Sequence, residues 1–361
     1  MIYYLIGYDY IKIITFISVI FAFALTCILI VLGKNTLPRD AGRAYAINGS
    51  KSVGKPRGAG IIFILTFTFS SVIFIPMDAE MVIYLILILA AMLSGYLDDS
   101  SQTPWGELKK GLIDLAIAIM AAVTYLHYNP NTFELSFWSK TVTLNPVIYG
   151  ILIVILIWAS INVTNCSDGV DGLCGTLSAV TLTSSYVLFK IYELEPYFRH
   201  TILLMVVCIL GYLWFNASPS KLLMGDAGSR AIGLFIAFAF LKLHHPLLYI
   251  PMALMLIIDG GLGLVKVSFM RFLHINIFKK LRTPVHDHMR KNRDWSDSQV
   301  VFRFTIIQVV ICLGIIYAVM SKTGLPYLII CTADRFFTAG SLFFSSFSCV
   351  LFPSADAALF S

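Results

Sequence analysis

The chain has 361 residues, 58% of them hydrophobic and 13% charged, with a formal net charge of +6 and a mean hydropathy of +0.84. A water-soluble protein of this size could not keep so much apolar side chain from solvent, and recurring apolar stretches of about 18 or more residues read as membrane spans. The Lys and Arg residues gather in particular loops, a pattern of membrane topology that gives no basis for nucleic-acid binding.

In chain order, length and apolarity predict about ten helical spans, near 11–33, 58–76, 80–97, 111–127, 146–163, 174–190, 200–215, 230–243, 247–269 and 301–321. The first lacks a basic lead and a small-residue cleavage site, so it is read as a retained span. The expected fold is all-α, a polytopic membrane protein with a cytoplasmic active-site cleft. Residues 1–321 are read as a single transmembrane catalytic domain. Residues 322–361, rich in Phe, Ser and Ala, are an atypical C-terminal tail to which no function is attached. Seven scattered cysteines show no CxxC or Cys/His spacing, so neither a disulfide framework nor a zinc knuckle is indicated.

Orientation follows from the basic residues. Lys34, Arg39, Arg43, Lys51, Lys55 and Arg57 lie between the first two spans, and Arg271, Lys279, Lys280, Arg282, Arg290, Lys291 and Arg293 between the last two. The connection 128–145 on the opposite side carries only Lys140. The positive-inside rule therefore puts the basic loops in the cytoplasm. The polar motifs after the third, fifth, seventh and ninth spans fall on that same side.

Asp98 and Asp99 end an apolar helix, where paired carboxylates suit a divalent cation or a phosphate held through one; a solvated helix end is the plainer reading. NVTNCSDGVDGLCG is more specific. It places Asn162, Asn165, Asp168 and Asp171 in one turn-rich segment, with more acids and amides than a helix cap requires. In KLLMGDAGSR, Asp226 stands between Gly225 and Gly228 with Ser229 following, at the start of a helix, a good setting for a metal ion with its phosphate or for a simple N-cap. TPVHDHMRKNR brings His286 and His288 around Asp287, with Arg290 and Lys291 next, and favours anion binding over zinc, for which a third ligand is missing. GKPRGAG (54–60) is a phosphate cradle or a flexible loop near headgroups. Two acids fall inside spans, Asp114 and Asp259. Intramembrane charge is costly and is functional by default. The structural reading is an ion pair: Asp114 stands four residues after Lys110, the helical pairing distance. The alternative turns Lys110 toward the site.

The run of Asp98-Asp99, NVTNCSDGVDGL, MGDAGS and the His loop, in that order, resembles the polyprenyl-phosphate N-acetylhexosamine-1-phosphate transferase superfamily. GYLWFNASPSKLLMGDAGS, TPVHDH and WSDSQVVFRF resemble most its phospho-N-acetylmuramoyl-pentapeptide transferase family, and the likeness covers roughly residues 35 to 320. The resemblance implies transfer of phospho-MurNAc-pentapeptide from UDP-MurNAc-pentapeptide to undecaprenyl phosphate in the bacterial plasma membrane, giving lipid I and UMP for peptidoglycan synthesis. It implies a magnesium cofactor and a homodimer. Carried over by motif, Asp226 is the magnesium ligand; Asp98, Asp99, Asp226 and His286 are catalytic, Asp98 being the proton acceptor. Lys110, Asn162, Asn165, Asp168, Asp171, Gly225, Ser229, His288 and Arg290 contact substrate, Asp171 near the uracil. The chain departs from the family where His-Asp-His replaces a triple His, where Leu223 replaces a Phe, and where GKPRGAG replaces TPTMGG.

Three rivals are weighed against this reading, of which a non-catalytic membrane scaffold leaves the clustered Asp and Asn of 162–172 unexplained. A UDP-GlcNAc transferase of the same superfamily shares the aspartates and differs around the His loop. A transporter using Asp114 and Asp259 predicts midplane polar residues on several spans and a pseudo-symmetric repeat, and the sequence shows neither.

Overall fold

The computed structural model describes residues 11–40, 42, 52–101, 103, 105–137, 140–275 and 277–323. The chain divides into two compact units, residues 1–316 and 317–361. Of the second, only the end of the last helix is described, and the tail from residue 324 lies outside the described residues.

The protein is an all-α polytopic membrane protein, and each of the ten apolar segments read from the sequence is helical. They are α1 (Ile11–Gly33), α2 (Gly60–Phe74), α3 (Ala79–Asp99), α4 (Glu107–Tyr128), α5 (Pro146–Cys166), α6 (Leu173–Ile191), α7 (Pro196–Asn216), α8 (Gly225–Lys242), a broken segment ending in α9 (Leu262–Phe272) and, after the short α10 (Val285–Asn292), α11 (Asp297–Thr323). Among the described residues six helices are long and apolar enough to cross a membrane, or seven if the bent pair forms one span. That is fewer than the ten expected. One shorter apolar helix, α2, has 15 residues, which at 1.5 Å per residue covers about 22 Å, short of a hydrocarbon core of about 30 Å.

The centre of the bundle is α8, whose residues Gly225 to Leu241 are all buried. Small residues let its neighbours close in: at Gly60 of α2 a Cβ would stand 2.0 Å from the backbone nitrogen of Gly228. Such glycine contacts take the place of a hydrophobic driving force between helices in lipid. Helices α3 and α5 pack most extensively on α8.

Two features differ from the sequence expectation. The connection 128–145 contains a small antiparallel hairpin, β1 (Thr132–Leu135) and β2 (Lys140–Thr143), in register Thr132↔Thr143. Its alternating Thr, Phe and Val residues favour strand, and Glu134 N–H donates to His244 O at 2.9 Å, tying it to the end of α8. The segment expected as one span, 247–269, bends by 69° near Ala253, where Pro251 and a π-helical turn at Ile257–Gly261 interrupt the regular ladder. The fully buried Gln308 of α11 caps the break. Its amide donates to Met252 O and accepts from Met255 N–H at 2.8 Å, so backbone groups freed inside the bundle stay satisfied.

Candidate active site

The polar motifs meet at one end of the bundle. The 52–60 loop is strapped to the segment before α8: Leu223 N–H donates to Pro56 O at 2.8 Å, Ala59 N–H to Leu223 O and Gly60 N–H to Met224 O, both at 3.0 Å. This strap carries Arg57 into the gap between α3 and α8. Its Nε lies 2.9 Å from Asp99 Oδ1, Nη2 lies 3.6 Å from Asp226 Oδ1 and Nη1 lies 3.3 Å from Asp40 Oδ1. Burial works against the guanidinium's charge, but Asp99, then Asp226 and Asp40, more than offset it and raise the Arg57 pKa above its ordinary value.

Lys110, at the start of α4, is the second shared cation. Its ammonium pairs with Asp98 Oδ2 and lies 3.1 Å from Asp226 Oδ2. Trp105 N–H donates to the other Asp98 oxygen at 2.8 Å. The side chains of Asp98, Asp99 and Asp226 are all buried. Gly225 makes the approach possible: its φ of +72° suits glycine, and a Cβ there would lie 2.2 Å from Asp99 Oδ2.

Beside this cluster opens a cavity of about 470 Å³ whose lining includes Lys55, Arg57, Asp168, Asp171, His286 and Arg290. Asp171 accepts from Ser220 N–H at 3.0 Å and lies 3.6 Å from Lys55 Nζ. His286 is buried. Its backbone N–H donates to Asp259 Oδ1 at 2.7 Å, and its Nδ1 lies 2.8 Å from Asp259 Oδ2. Its Nε2 faces Asp287 Oδ1 at 3.8 Å and packs on Gly169, where a Cβ would come within 2.3 Å. Burial lowers the imidazole's pKa, but the Asp259 carboxylate outweighs it and the net shift is upward. Arg290 bridges Asp287 at 3.4 Å and Asp297 at 2.8 Å.

The structure thus brings together Asp98, Asp99, Lys110, Gly225 and Asp226, with Asp168, Asp171, His286 and Arg290 around the adjoining cavity. Ser229 is buried beside them and accepts from Asn165 Nδ2 at 2.9 Å. Two expected residues belong neither to the carboxylate cluster nor to the cavity lining. Asn162 donates to Trp158 O one turn earlier on its own helix, at 2.9 Å. His288 Nδ1 accepts from Arg282 N–H at 3.3 Å. The expected Lys110–Asp114 pair does not form. Asp114 is held by Arg230, and Lys110 points into the site. The sequence also missed Asp40, which carries no motif signal, and Arg230, whose i+4 spacing from Asp226 was the available hint.

Among the described residues no three His, Cys, Asp or Glu side chains are already grouped as a cation cage. A magnesium ion does not require one, since it is commonly held by one or two carboxylates together with substrate phosphates. The donors here fit that chemistry. They are hard carboxylate oxygens, and one of them, Asp99 Oδ1, is buried beside Arg57 with no aligned hydrogen bond.

The glycosyl transferase family 4 model matches residues 81–244, which contain α4 to α8, all but the first two residues of α3 and all three clustered aspartates. The phospho-N-acetylmuramoyl-pentapeptide-transferase of Treponema pallidum (strain Nichols) is 38% identical over 300 residues, covering 78% of this chain and 82% of that protein. This chain belongs to the phospho-N-acetylmuramoyl-pentapeptide-transferase family. The proteins of that name from Clostridium acetobutylicum and Acetivibrio thermocellus are 29% and 25% identical, over 74% and 75% of this chain and 85% and 84% of their own lengths.

Proposed function

We propose that this protein transfers phospho-MurNAc-pentapeptide from its UDP carrier to undecaprenyl phosphate, releasing UMP and forming lipid I for peptidoglycan synthesis. The observation that carries the reading is the shared use of Asp226 by Lys110 and Arg57, each of which also holds one carboxylate of the Asp98-Asp99 pair. Five charged groups from four segments are focused on one point beside a cavity large enough for a nucleotide.

Two anions must meet for this reaction. An oxygen of the lipid phosphate attacks the phosphorus bound to the sugar, and the bond from that phosphorus to the bridging oxygen breaks, leaving UMP. Lys110 and Arg57 reduce the repulsion between the anions and hold the diphosphate in line. Asp98 accepts the proton of the lipid phosphate. Asp226, with Asp98 or Asp99, would hold a magnesium ion, which when bound supplies neutralisation of charge on the departing nucleotide. Asp168 and Asp171 face the nucleotide, and His286 and Arg290 face the sugar-phosphate end. The basic loops support a cytoplasmic position for this end of the bundle, where a soluble nucleotide meets a lipid headgroup without either charge entering hydrocarbon. The assembly is taken to be a homodimer.

The test is UMP release by the purified protein with undecaprenyl phosphate and magnesium, comparing UDP-MurNAc-pentapeptide with UDP-GlcNAc. Release with the first donor alone is the expected result. Release with UDP-GlcNAc alone would replace this reading by the GlcNAc-1-phosphate transferase.

A further inference from the structure

The residues that hold Lys110 and Asp226 in place are themselves charged and deeper in the bundle. On α4, Lys110 and Asp114 are one helical turn apart. On α8, Asp226 and Arg230 are one turn apart. They meet as two rungs of opposite polarity. Lys110 Nζ lies 3.1 Å from Asp226 Oδ2 at the site, and Arg230 Nε donates to Asp114 Oδ1 at 3.1 Å one turn below. Arg230 Nη2 also donates to Asp114 and, at 3.3 Å, to the backbone carbonyl of Lys110 itself. The two deep residues are each 2% exposed, while the Lys110 side chain is 29% exposed. Arg230 Nη1 is buried without a hydrogen-bond partner.

A buried ion pair is a poor device for stability alone. Its desolvation cost rivals its attraction, and apolar residues of similar volume often serve the fold equally well. What an apolar pair could not do is fix the axial register of α4 against α8 through a forked, directional contact that ends on the backbone of a site residue. Resting on the transferase reading above, we propose that Asp114 and Arg230 are a positioning pair, which locks the start of α4 so that the Lys110 ammonium stays between Asp98 and Asp226. Neither residue touches substrate. Both act through Lys110.

The test uses the full-length protein in detergent, with the double variant Asp114→Leu/Arg230→Met, which leaves no buried charge unpaired, and with Arg230→Lys, which keeps the charge but loses the fork. The double variant should keep its thermal midpoint near that of wild type. Its kcat should fall about ten- to a hundred-fold, with a much smaller change in KM for the UDP donor, the pattern of a misplaced catalytic group. Arg230→Lys should fall between the two. A third readout needs no turnover: acylation of Lys110 by an amine-reactive reagent, followed by mass spectrometry, should be several-fold faster in the double variant. Wild-type kcat and Lys110 labelling in that variant would overturn the proposal. Should the double variant fail to fold, Arg230→Lys decides: unchanged kcat and labelling there would overturn it. Wild type inactive with either UDP donor would sink the transferase reading, while the labelling comparison would still decide the positioning role.

Discussion

Helices α3, α4 and α8 each carry a polar residue at both ends, and the two ends have been built differently. At one end Glu80 of α3, Asn129 after α4 and Lys242 of α8 form a closed network: Lys242 Nζ donates to Glu80 Oε2 at 2.9 Å and Asn129 Oδ1 at 3.0 Å, while Asn129 and Tyr84 each donate to Glu80 Oε1 at 2.6 Å. One acid meets one base, and the neutral groups fill the remaining sites. At the other end Asp40, Asp98, Asp99 and Asp226 face Arg57 and Lys110, so acids outnumber bases, and the cluster adjoins a cavity. The same helices thus carry a balanced network at one end and the proposed site at the other. The first is balanced and saturated. The second holds excess negative charge, the condition that the proposed magnesium ion would complete.

That contrast can be broken by mutation. The largest effect is expected from Asp226→Asn, which should lower transfer at least about 100-fold with the thermal midpoint in detergent unchanged; retained activity at ordinary magnesium would remove Asp226 from the centre. Arg57→Ala should cost about ten- to a hundred-fold in kcat, read by UMP release. Arg57→Lys should recover little of it, because one ammonium cannot serve the three carboxylates that the guanidinium spans. At the balanced end, Lys242→Met should leave turnover per folded molecule intact and lower stability by about 2 kcal/mol, the scale of a lost charged hydrogen bond, as measured by denaturant titration. Loss of turnover in a folded Lys242→Met protein would erase the distinction between the two ends.

The smallest effect concerns pH. The folded His286 pKa lies above its unfolded value because of Asp259. Its stabilising contribution is therefore complete below about pH 6.5, the unperturbed histidine value, and is lost as pH rises through the folded pKa. Wild type should lose thermal stability over that window and Asp259→Asn should not. A parallel pH dependence in both would remove the dyad as its source.

Much of the fold was legible because hydrocarbon thickness imposes a length on apolar segments, and α1, α3, α5 and α11 stand where that length put them. The break near Ala253 was not, since it depends on Gln308, 56 residues away in sequence from the carbonyl it caps. In the site, Asp98, Asp99, Asp168, Asp171, Asp226 and His286 announced themselves as acids or imidazoles among turn residues. The partnerships did not. Arg57 sits in a loop that departs from the family pattern, and Asp259 finds His286 across 27 positions. Asp114 finds Arg230 across 116 positions. For Asp114 the local i+4 lysine was the more obvious partner, and it was the wrong one because Lys110 has two carboxylates to satisfy at the site.

The role assigned to Asp226 is decided by formation of the lipid-linked product from UDP-MurNAc-pentapeptide, undecaprenyl phosphate and magnesium, with wild type and Asp226→Asn purified side by side. Product from wild type, and none above background from a variant with the same thermal midpoint, is the predicted result. Equal product from both would contradict it.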